Sequence, residues 1–502
     1  MSNSIQRIRQ QSILSSIVVY IGFALGFLNT YLFTIEGGFT QEQYGLTGIF
    51  IAIANIMLSF SNLGMLVYVY KFHPYYKTHL APSKNDMFFI SLVVSGVGFL
   101  IILISAFIFK DLVVQKYSTH SPDFVKYYRF LFPFGYGLTL YSLLEAFAWQ
   151  FERSVLTHFF REVIFRLLTT LLIVLTYRHI IESFDLFIKI YSFTYLGIAI
   201  LLGGYLLYTK KIYIYPKISK LTHRLKKQII TLCAFLWSGS LIFNLSQFFD
   251  TIVIASVVKD GLKATAVYTL AQNISSLVQA PQRALQAAVI PHFSTAWKDK
   301  NPSQIQLIYQ RGSINQLLFS VGMFALIWMN FTEAINTFHL KTAYIDAKNI
   351  FLFIGLMRII EMTFGLSSQI ISTSVYWRFD FFTGIILLSL ALPLNYFLAK
   401  EWGAIGPAIS NLIAFSIYFA IRFTFLYKKF GIQPLTIQSL YILIVGICCY
   451  CIALYPTQTI SGFYGIILRS LIFVSTYIVL AYRIKISEDL NYYINKCLRV
   501  FQ

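Results

Sequence analysis

Ionisable residues occur inside long apolar stretches of this sequence, where an uncompensated charge is costly. Asp250 lies in the apolar run 229–258, and Arg283 follows Pro281 in the run 265–291. Such residues are usually retained in apolar segments because they bind or exchange something. A buried carboxylate can take up a proton or bind a cation, so Asp250 is a candidate for ion coupling. A paired, structural acid is the alternative.

Arg283 and Pro281 together suggest an anion-binding site. A proline inside a helix frees a backbone carbonyl and bends the helix, so we predict a hinge at Pro281. A guanidinium beside that bend presents a planar fork of donors that suits phosphate, which makes Arg283 a candidate for binding a diphosphate in a cavity. The alternative is that its side chain extends to the cytoplasmic membrane surface.

Charged residues also interrupt other apolar runs. Arg358 and Glu361 are three residues apart in a predicted helix and therefore share one face. They form either a structural ion pair or, once opened, a cation for an anionic substrate and a carboxylate for a coupling ion. Glu145 is a similar acid in the first half of the chain, and we expect Arg129 to line an outer vestibule. The candidates are thus Arg129, Arg283 and Arg358 for substrate binding, and Glu145, Asp250 and Glu361 for ion coupling.

The motifs of soluble enzymes are missing from the sequence. It has no Walker-type glycine loop, no H-E-x-x-H and no G-x-S-x-G. The cysteine cluster ICCYC at 447–451 has no histidine or acid beside it, so we interpret it as packing rather than as a metal site. We therefore expect no catalytic residue, no bound metal and no cofactor beyond a coupling H+ or Na+.

The composition indicates a polytopic membrane protein, which must position these residues. Hydrophobic residues make up 57% of the 502 residues, charged residues make up 12%, and the mean hydropathy is +0.67. A soluble globular chain has about 25% charged residues. The net charge of +20 is dispersed among the loops between apolar runs, so it does not indicate nucleic-acid binding.

Fourteen transmembrane helices are predicted by requiring about 20 apolar residues per span. Their approximate bounds are 12–34, 44–70, 86–109, 124–150, 157–177, 186–208, 229–258, 265–291, 312–332, 346–375, 380–399, 403–427, 435–453 and 461–482. A basic stretch after the sixth span divides the chain, and the starts of both halves read alike. We predict an N-terminal six-helix lobe (1–208), a basic cytoplasmic linker (209–228), a C-terminal six-helix lobe (229–427) and two further helices with a cytoplasmic tail (428–502).

The loops give the expected orientation. Placing the N-terminus inside puts most lysines and arginines, including Arg161, Arg422 and those of the basic linker, in the cytoplasmic segments. This bias is what the positive-inside rule predicts for an even number of spans with both termini in the cytoplasm. No loop is long enough to fold as a separate domain. We therefore expect a multi-pass protein of the bacterial cytoplasmic membrane that works within the bilayer.

Several short motifs resemble those of a known transporter group. They are Asp250 followed by Val267-Tyr268 and Ala271, the helix exit at Ile290-Pro291, Leu394-Asn395, and the segment EWGAIGPA at 401–408. Together with the helix count and the basic linker, they resemble the Wzx-type O-antigen and polysaccharide flippases of the multidrug/oligosaccharidyl-lipid/polysaccharide (MOP) superfamily. Two positions depart from the pattern: Asn29 replaces an acid, and Pro407 stands where the family often has alanine.

The resemblance implies an all-α fold like that of the MATE transporters, with two six-helix lobes around a cavity that opens alternately to each membrane face. It implies transport of an undecaprenyl-diphosphate-linked oligosaccharide from the cytoplasmic to the outer leaflet, coupled to protons or sodium. The expected partners are this glycolipid, membrane lipids and other polysaccharide-assembly membrane proteins, and the product would be lipopolysaccharide or another surface polymer.

Two alternatives remain. An ion-coupled exporter of small molecules belongs to the same superfamily, although the basic candidate residues argue against organic cations as substrates. A membrane glycosyltransferase or sugar polymerase belongs to a different class. It would need a sizeable extramembrane loop or an acidic metal motif, and the sequence has neither.

Overall fold

The computed structural model describes the backbone of residues 2–500. Side chains are described throughout that range except at 2–13, 15–17, 243, 283, 284, 287, 288, 291, 377 and 497–500. The described chain is helical almost throughout, and it divides into two compact units, Met1–Ala266 and Val267–Gln502. The expected all-α membrane fold is confirmed.

The first unit contains helices α1 to α12 and the start of α13. Their bounds are α1 Ser2–Thr34, α2 Gln41–Ser61, α3 Met65–His79, α4 Met87–Ile108, α5 Lys110–Ser118, α6 Pro122–Tyr127, α7 Leu131–Gln150, α8 Ser154–His158, α9 Phe165–Tyr177, α10 Phe184–Ser192, α11 Thr194–Tyr208, α12 Lys220–Val257 and α13 Gly261–Ser275. A π-helix, Phe159–Ile164, connects α8 to α9.

The second unit contains the rest of α13 and the helices that follow it. They are α14 Gln282–Lys298, α15 Pro302–Thr337, α16 Ala347–Phe364, α17 Ser367–Thr373, α18 Trp377–Trp402, α19 Ile405–Phe430, α20 Ile437–Leu454, α21 Gly462–Arg483 and α22 Glu488–Val500.

All fourteen predicted spans have helical counterparts in the described chain. Ten helices there are long and apolar enough to cross a membrane, or eleven if the bent pair α16–α17 counts as one span. The remaining predicted spans correspond to the shorter apolar part of α1 (Val18–Thr34), the charged helix that contains Arg161, Glu162 and Arg166, and the broken pair α13–α14. Length and apolar composition therefore locate most of the spans.

Several predicted spans are interrupted in the structure, and the causes are clear in two of them. The stretch 44–70 forms α2 and α3, because Gly64 has a left-handed φ of 80° and its N–H donates to Asn62 Oδ1 (2.9 Å), which ends the helix. The stretch 265–291 forms α13 and α14, separated at residues 276–281. Pro281 comes directly before α14, where its missing N–H leaves no helical bond unmade, so it lies at a helix start rather than inside a helix.

Helix α12 begins within the predicted linker and packs against the first unit. Its first turn is capped by Ser219, whose backbone N–H donates to the buried Asp86 carboxylate (2.7 Å). Further along, Trp237 Nε1 donates to the Ser59 carbonyl (2.7 Å), and the Ser121 hydroxyl donates to the Ala255 carbonyl (2.6 Å). The structural units thus divide inside α13, whereas the lobe boundary at 209–228 stays a prediction.

The two helices beyond the second six-helix lobe, α20 and α21, pack on α15. Leu317 and Val321 of α15 share a buried apolar cluster with Ile442 of α20 and Phe473 of α21. Tyr477 Oη also donates to the Leu318 carbonyl (3.0 Å). These helices therefore extend the core of the second unit rather than forming one of their own.

Candidate functional site

A charged cluster lies inside the first unit and includes Glu145. We call the side chains of Asn29, Glu145, Arg161, Glu162 and Arg166 the Glu145 cluster. Arg161 Nη1 donates to Glu145 Oε2 (3.3 Å), and Arg166 pairs with Glu162 at 2.8 Å. Asn29 Nδ2 donates to the Arg166 carbonyl (2.9 Å). Two arginines and two acids thus compensate one another's charge, and an unpaired charge would be costly at the buried Glu145, whose side chain is 7% exposed.

Close helix packing positions this cluster. Gly22 and Gly26 share one face of α1, and a Cβ at Gly22 would lie 2.6 Å from the Glu162 Cβ. The Arg166 guanidinium donates to the Gly22 carbonyl and occupies the space beside Gly26. Small residues let two helices approach in this way inside a membrane. The facing segment is the π-helix, a conformation that is rare and often found at functional sites.

A second polar cluster lies in the second unit around Glu361. We call Gln279, Gln282, Arg358 and Glu361 the Glu361 cluster. Arg358 Nη1 donates to Glu361 Oε2 (2.6 Å), and Gln279 Nε2 donates to Glu361 Oε1 (2.9 Å). Gln282 Nε2 lies 3.4 Å from the same oxygen. The side chains of Arg358 and Glu361 are 14% and 11% exposed, so this is a largely buried ion pair with two amide partners.

Interrupted helices position the Glu361 cluster. Gln279 lies in the non-helical segment between α13 and α14, and Gln282 opens α14. Glu361 is in the last turn of α16, just before the chain bends by 42° into α17. Non-helical backbone at membrane depth is tolerated where it is buried in protein or lines a cavity, and ion-coupled transporters use broken helices to build their sites.

The cluster geometry confirms neither role that the sequence suggested for Arg358 and Glu361, but it shows them paired. A paired arginine can bind a diphosphate only if its carboxylate takes another partner. The carboxylate can do so by accepting a proton or a metal cation. The arrangement can therefore exchange one charged partner for another, which is the chemistry that coupled binding of an anion and a cation requires.

Asp250 occupies a buried position on α12. The residue is only 2% exposed. Its Oδ1 accepts a hydrogen bond from the backbone N–H of Thr251 (2.7 Å) and lies 3.4 Å from the Thr251 hydroxyl. It belongs to neither of the two clusters as defined above. Its role in ion coupling stays a prediction.

The remaining predicted residues occupy different settings. Arg129 is exposed in a short 3₁₀ turn, with its guanidinium 4.9 Å from the centre of the Phe130 ring. Arg283 is in the first turn of α14, and its side chain lies outside the described residues. The predicted roles of both residues in substrate binding are untested by these positions.

A cavity of about 550 Å³ opens where several helices of the first unit begin. Glu42, Asp185 and Lys263 are among the lining residues. Lys263 pairs with Glu42 at 3.3 Å, and Asp185 pairs with Lys189 at 2.5 Å. Glu42 and Asp185 lie in the first turns of α2 and α10, where acids offset the helix dipole. These charges therefore have structural partners.

The sequence analysis did not predict the partners of several arginines. Arg161 and Arg422 were expected near the cytoplasmic membrane surface, because basic residues usually lie there. Instead, Arg161 joins the Glu145 cluster, and Arg422 is 1% exposed, pairing with Asp380 and stacking on Tyr418 at 4.1 Å. Spacing offered a signal, because Glu162 and Arg166 are four residues apart, as are Tyr418 and Arg422.

Metal binding has little support in the described part of the chain. No group of three or more His, Cys, Asp or Glu side chains there could hold a metal ion. The site chemistry that can be argued from contacts is therefore that of the two charge-compensated clusters.

Comparison with solved structures identifies similar folds. The lipid II flippase MurJ in an inward closed conformation matches with a TM-score of 0.71 and 16% identity, covering 94% of this chain and 100% of that one. An inward-facing MATE family transporter of the MOP superfamily matches with a TM-score of 0.62 and 15% identity, over 83% and 98% of the two chains. The Vibrio cholerae MATE transporter VcmN in its bent form gives 0.51 and 12%, over 84% and 98%. At these identities the likeness concerns the fold.

Family comparisons then place the sequence. A search of curated proteins finds no significant match. The MatE family model matches residues 238–397. The family model described as polysaccharide biosynthesis protein matches residues 8–297, which is more than half of the chain. The chain therefore belongs to the polysaccharide biosynthesis protein family.

Proposed function

We propose that this protein is a flippase that moves an undecaprenyl-diphosphate-linked oligosaccharide from the cytoplasmic to the outer leaflet of the bacterial cytoplasmic membrane. The observation that carries the proposal is the match to polysaccharide biosynthesis proteins over residues 8–297. The fold shared with a lipid II flippase supports a lipid-linked substrate. The oligosaccharide would be a repeat unit of O-antigen, and hence of lipopolysaccharide, or of another surface polysaccharide.

The charged clusters have the chemistry that transport of this substrate requires. A sugar diphosphate cannot cross hydrocarbon unaided, because its charges and hydroxyls would lose their water. Guanidinium groups bind phosphate oxygens through paired donors, and they do so most strongly away from water. We assign diphosphate binding to Arg358, with Arg283 and Arg129 as further contacts. Release of the Arg358 guanidinium from Glu361 would make it available to the substrate.

Ion coupling follows from the same exchange. When the substrate binds Arg358, the freed carboxylate of Glu361 needs a proton or a sodium ion to offset its charge. Gln279 and Gln282 already contact that carboxylate and could complete a cation site with their carbonyl oxygens. Glu145, paired with Arg161, is the matching candidate in the first unit, and Asp250 is a third. Transport would then proceed by alternating access.

The membrane setting belongs to this proposal. Both termini would lie in the cytoplasm, as the distribution of lysines and arginines predicts. Enzymes that assemble the glycolipid at the cytoplasmic face would supply the substrate, and polymerising membrane proteins at the outer face would use it. No catalytic residue is assigned to the chain itself.

The test is leaflet transfer in liposomes that contain the purified protein and a short diphosphate-linked oligosaccharide lipid. Proton and sodium gradients are imposed in turn. Transfer that responds to one gradient supports the flippase and identifies its ion. The matched variant Arg358→Gln should abolish transfer while Arg178→Gln, in a loop of the first unit, should not.

The alternative outcome is also informative. The MatE match over residues 238–397 favours an ion-coupled small-molecule exporter as the second candidate. Gradient-driven movement of a small amphipathic cation, without transfer of the glycolipid, would contradict the flippase and support the exporter.

A further inference from the structure

Helix α22 follows the last membrane-spanning helix after a very short connector. α21 ends at Arg483, and α22 begins at Glu488. Because the connector is so short, the start of α22 cannot lie far from the end of α21. The first turns of α22 must therefore lie close to the membrane boundary where α21 ends. The distribution of lysines and arginines assigns this boundary to the cytoplasmic side.

Polar contacts fasten the start of α22 to the second unit. The Arg311 guanidinium pairs with Glu488, and Asn315 Nδ2 donates to Asp489 Oδ2 (2.6 Å). The Ser487 hydroxyl donates to Asn315 Oδ1 (2.6 Å). Both acids of α22 therefore have partners on α15, and among the described side chains in the rest of the helix the charged one is Lys496.

These contacts with α15 also fix the depth of α22 relative to the membrane. Its partner α15 has 36 residues and is about 54 Å long, whereas the hydrocarbon layer is about 30 Å thick. Arg311 and Asn315 lie in the polar first half of α15, beside the predicted start of the span at residue 312. The start of α22 is thus attached where α15 passes from the aqueous phase into the bilayer.

The two sides of α22 differ in character. Leu490 packs against the buried cluster of α15, α20 and α21, and the Asn491 and Asn495 side chains contact Tyr482 at the end of α21 (3.4 and 2.6 Å). The other side exposes Tyr492, Tyr493 and Lys496, and the two tyrosines are 63% and 64% exposed. We call these three residues the tyrosine–lysine face.

We propose that the tyrosine–lysine face binds the anionic phospholipid headgroups of the cytoplasmic leaflet. Tyrosine places an apolar ring below the headgroups and a hydroxyl among them, and lysine extends its ammonium group toward phosphate. A purely apolar face would suit hydrocarbon, and a purely charged face would suit bulk water. The combination found here suits the layer between them.

The charge of neighbouring residues adds to this attraction. Arg483 and Lys485 are exposed beside the start of α22 and have the same sign as Lys496. Each basic residue near an anionic membrane surface changes a binding equilibrium by about fivefold. The inference depends on the membrane location and not on the substrate, so it stands or falls separately from the proposed flippase activity.

Hydrogen–deuterium exchange of the full-length protein tests the proposal. The protein is reconstituted in nanodiscs of phosphatidylcholine alone or with phosphatidylglycerol added. The amides of α22 should exchange about fivefold more slowly in the anionic nanodiscs, and added salt should reduce this protection. Lys496→Gln should reduce the difference, because Arg483 and Lys485 then remain as the neighbouring basic residues, while Lys298→Gln, an exposed lysine at the end of α14, should preserve it in full.

A second variant tests the contribution of the two tyrosines to the tyrosine–lysine face. Tyr492→Ala combined with Tyr493→Ala should speed exchange of α22 in both kinds of nanodisc, whereas exchange of α15 and α21 stays unchanged and shows that the unit is folded. Equal exchange of wild-type α22 in neutral and anionic nanodiscs would overturn the proposal. The proposal would also be overturned if the difference in α22 exchange between the two kinds of nanodisc were as large in Lys496→Gln and in the double tyrosine variant as in the wild type.

Discussion

The Glu145 and Glu361 clusters solve the same problem in different ways. Each balances arginine against glutamate, so that its ionised members carry no net charge. The Glu145 cluster is built on close helix packing and a π-helix, and the Arg161 side chain remains 39% exposed. The Glu361 cluster is built at helix interruptions, and its Arg358 side chain is 14% exposed.

This difference in exposure indicates in which cluster the ion pair contributes more to the stability of the fold. A buried ion pair with few alternatives loses much stability when one partner is removed, since the other charge has no access to water. A partly exposed arginine retains some hydration and costs less to leave unpaired. We therefore expect the Glu361 cluster to dominate stability and the Glu145 cluster to tolerate substitution.

The largest effect is expected from Glu361→Ala. It leaves the Arg358 guanidinium buried without its carboxylate, so the free energy of unfolding should fall by about 3–5 kcal/mol. Thermal unfolding in detergent, followed by tryptophan fluorescence, measures the loss. The double variant Arg358→Met/Glu361→Leu should recover most of the stability yet stay inactive in leaflet transfer. A double variant as unstable as Glu361→Ala would show that pairing is not the cause.

An intermediate effect is expected where α1 meets the π-helix. In Gly22→Ala the new Cβ would lie 2.6 Å from the Glu162 Cβ, so the helices must separate. Overpacking of this kind costs about 1–3 kcal/mol. Gly96→Ala is the control, because a Cβ at Gly96 meets nothing within 4 Å. Equal unfolding temperatures for the two variants would refute the close-packing account.

A smaller effect is expected from Glu145→Gln, because the arginine that it leaves without a partner is partly exposed. The Arg161 guanidinium pairs with Glu145 at 3.3 Å, and loss of the carboxylate should lower the free energy of unfolding by about 1 kcal/mol. A loss as large as that of Glu361→Ala would show that the two clusters do not differ as described.

The smallest effect is expected from Arg129→Gln. This exposed side chain lies in a turn, and substitutions at such positions usually change stability by no more than about 0.5 kcal/mol. The variant therefore isolates function from folding. If Arg129 contacts the substrate, leaflet transfer should slow while the unfolding temperature is unchanged, and unchanged transfer would remove Arg129 from the proposed site.

Much of the fold could be predicted because apolar length is a local property. Spans such as 86–109 and 461–482 agree closely with α4 and α21, since only long apolar helices satisfy their backbone polar groups in a bilayer. Interruptions were harder to predict. The end of α2 depends on one Asn–Gly contact, and Pro281 has the same residue type whether it bends a helix or starts one.

The candidate site was predictable in part. Arg358 and Glu361 were expected to share a helix face, and their side chains are in contact. The sequence analysis did not single out Gln279 and Gln282, because glutamine is common in loops and Gln279 is 82 positions away from the carboxylate that it contacts. The predicted orientation counts Arg161 and Arg422 with the cytoplasmic segments, because sequence position near a predicted boundary does not show which way a side chain points.

The sequence by itself determined the class of the molecule, its helical spans and the charged residues that need partners, since each follows from local composition. Only the tertiary structure decided which partners they have. Glu145 and Arg161 are 16 positions apart, and Gln279 and Glu361 are 82 apart. Such pairs meet only when helices pack, and the packing depends on small residues and helix breaks whose effect is not local.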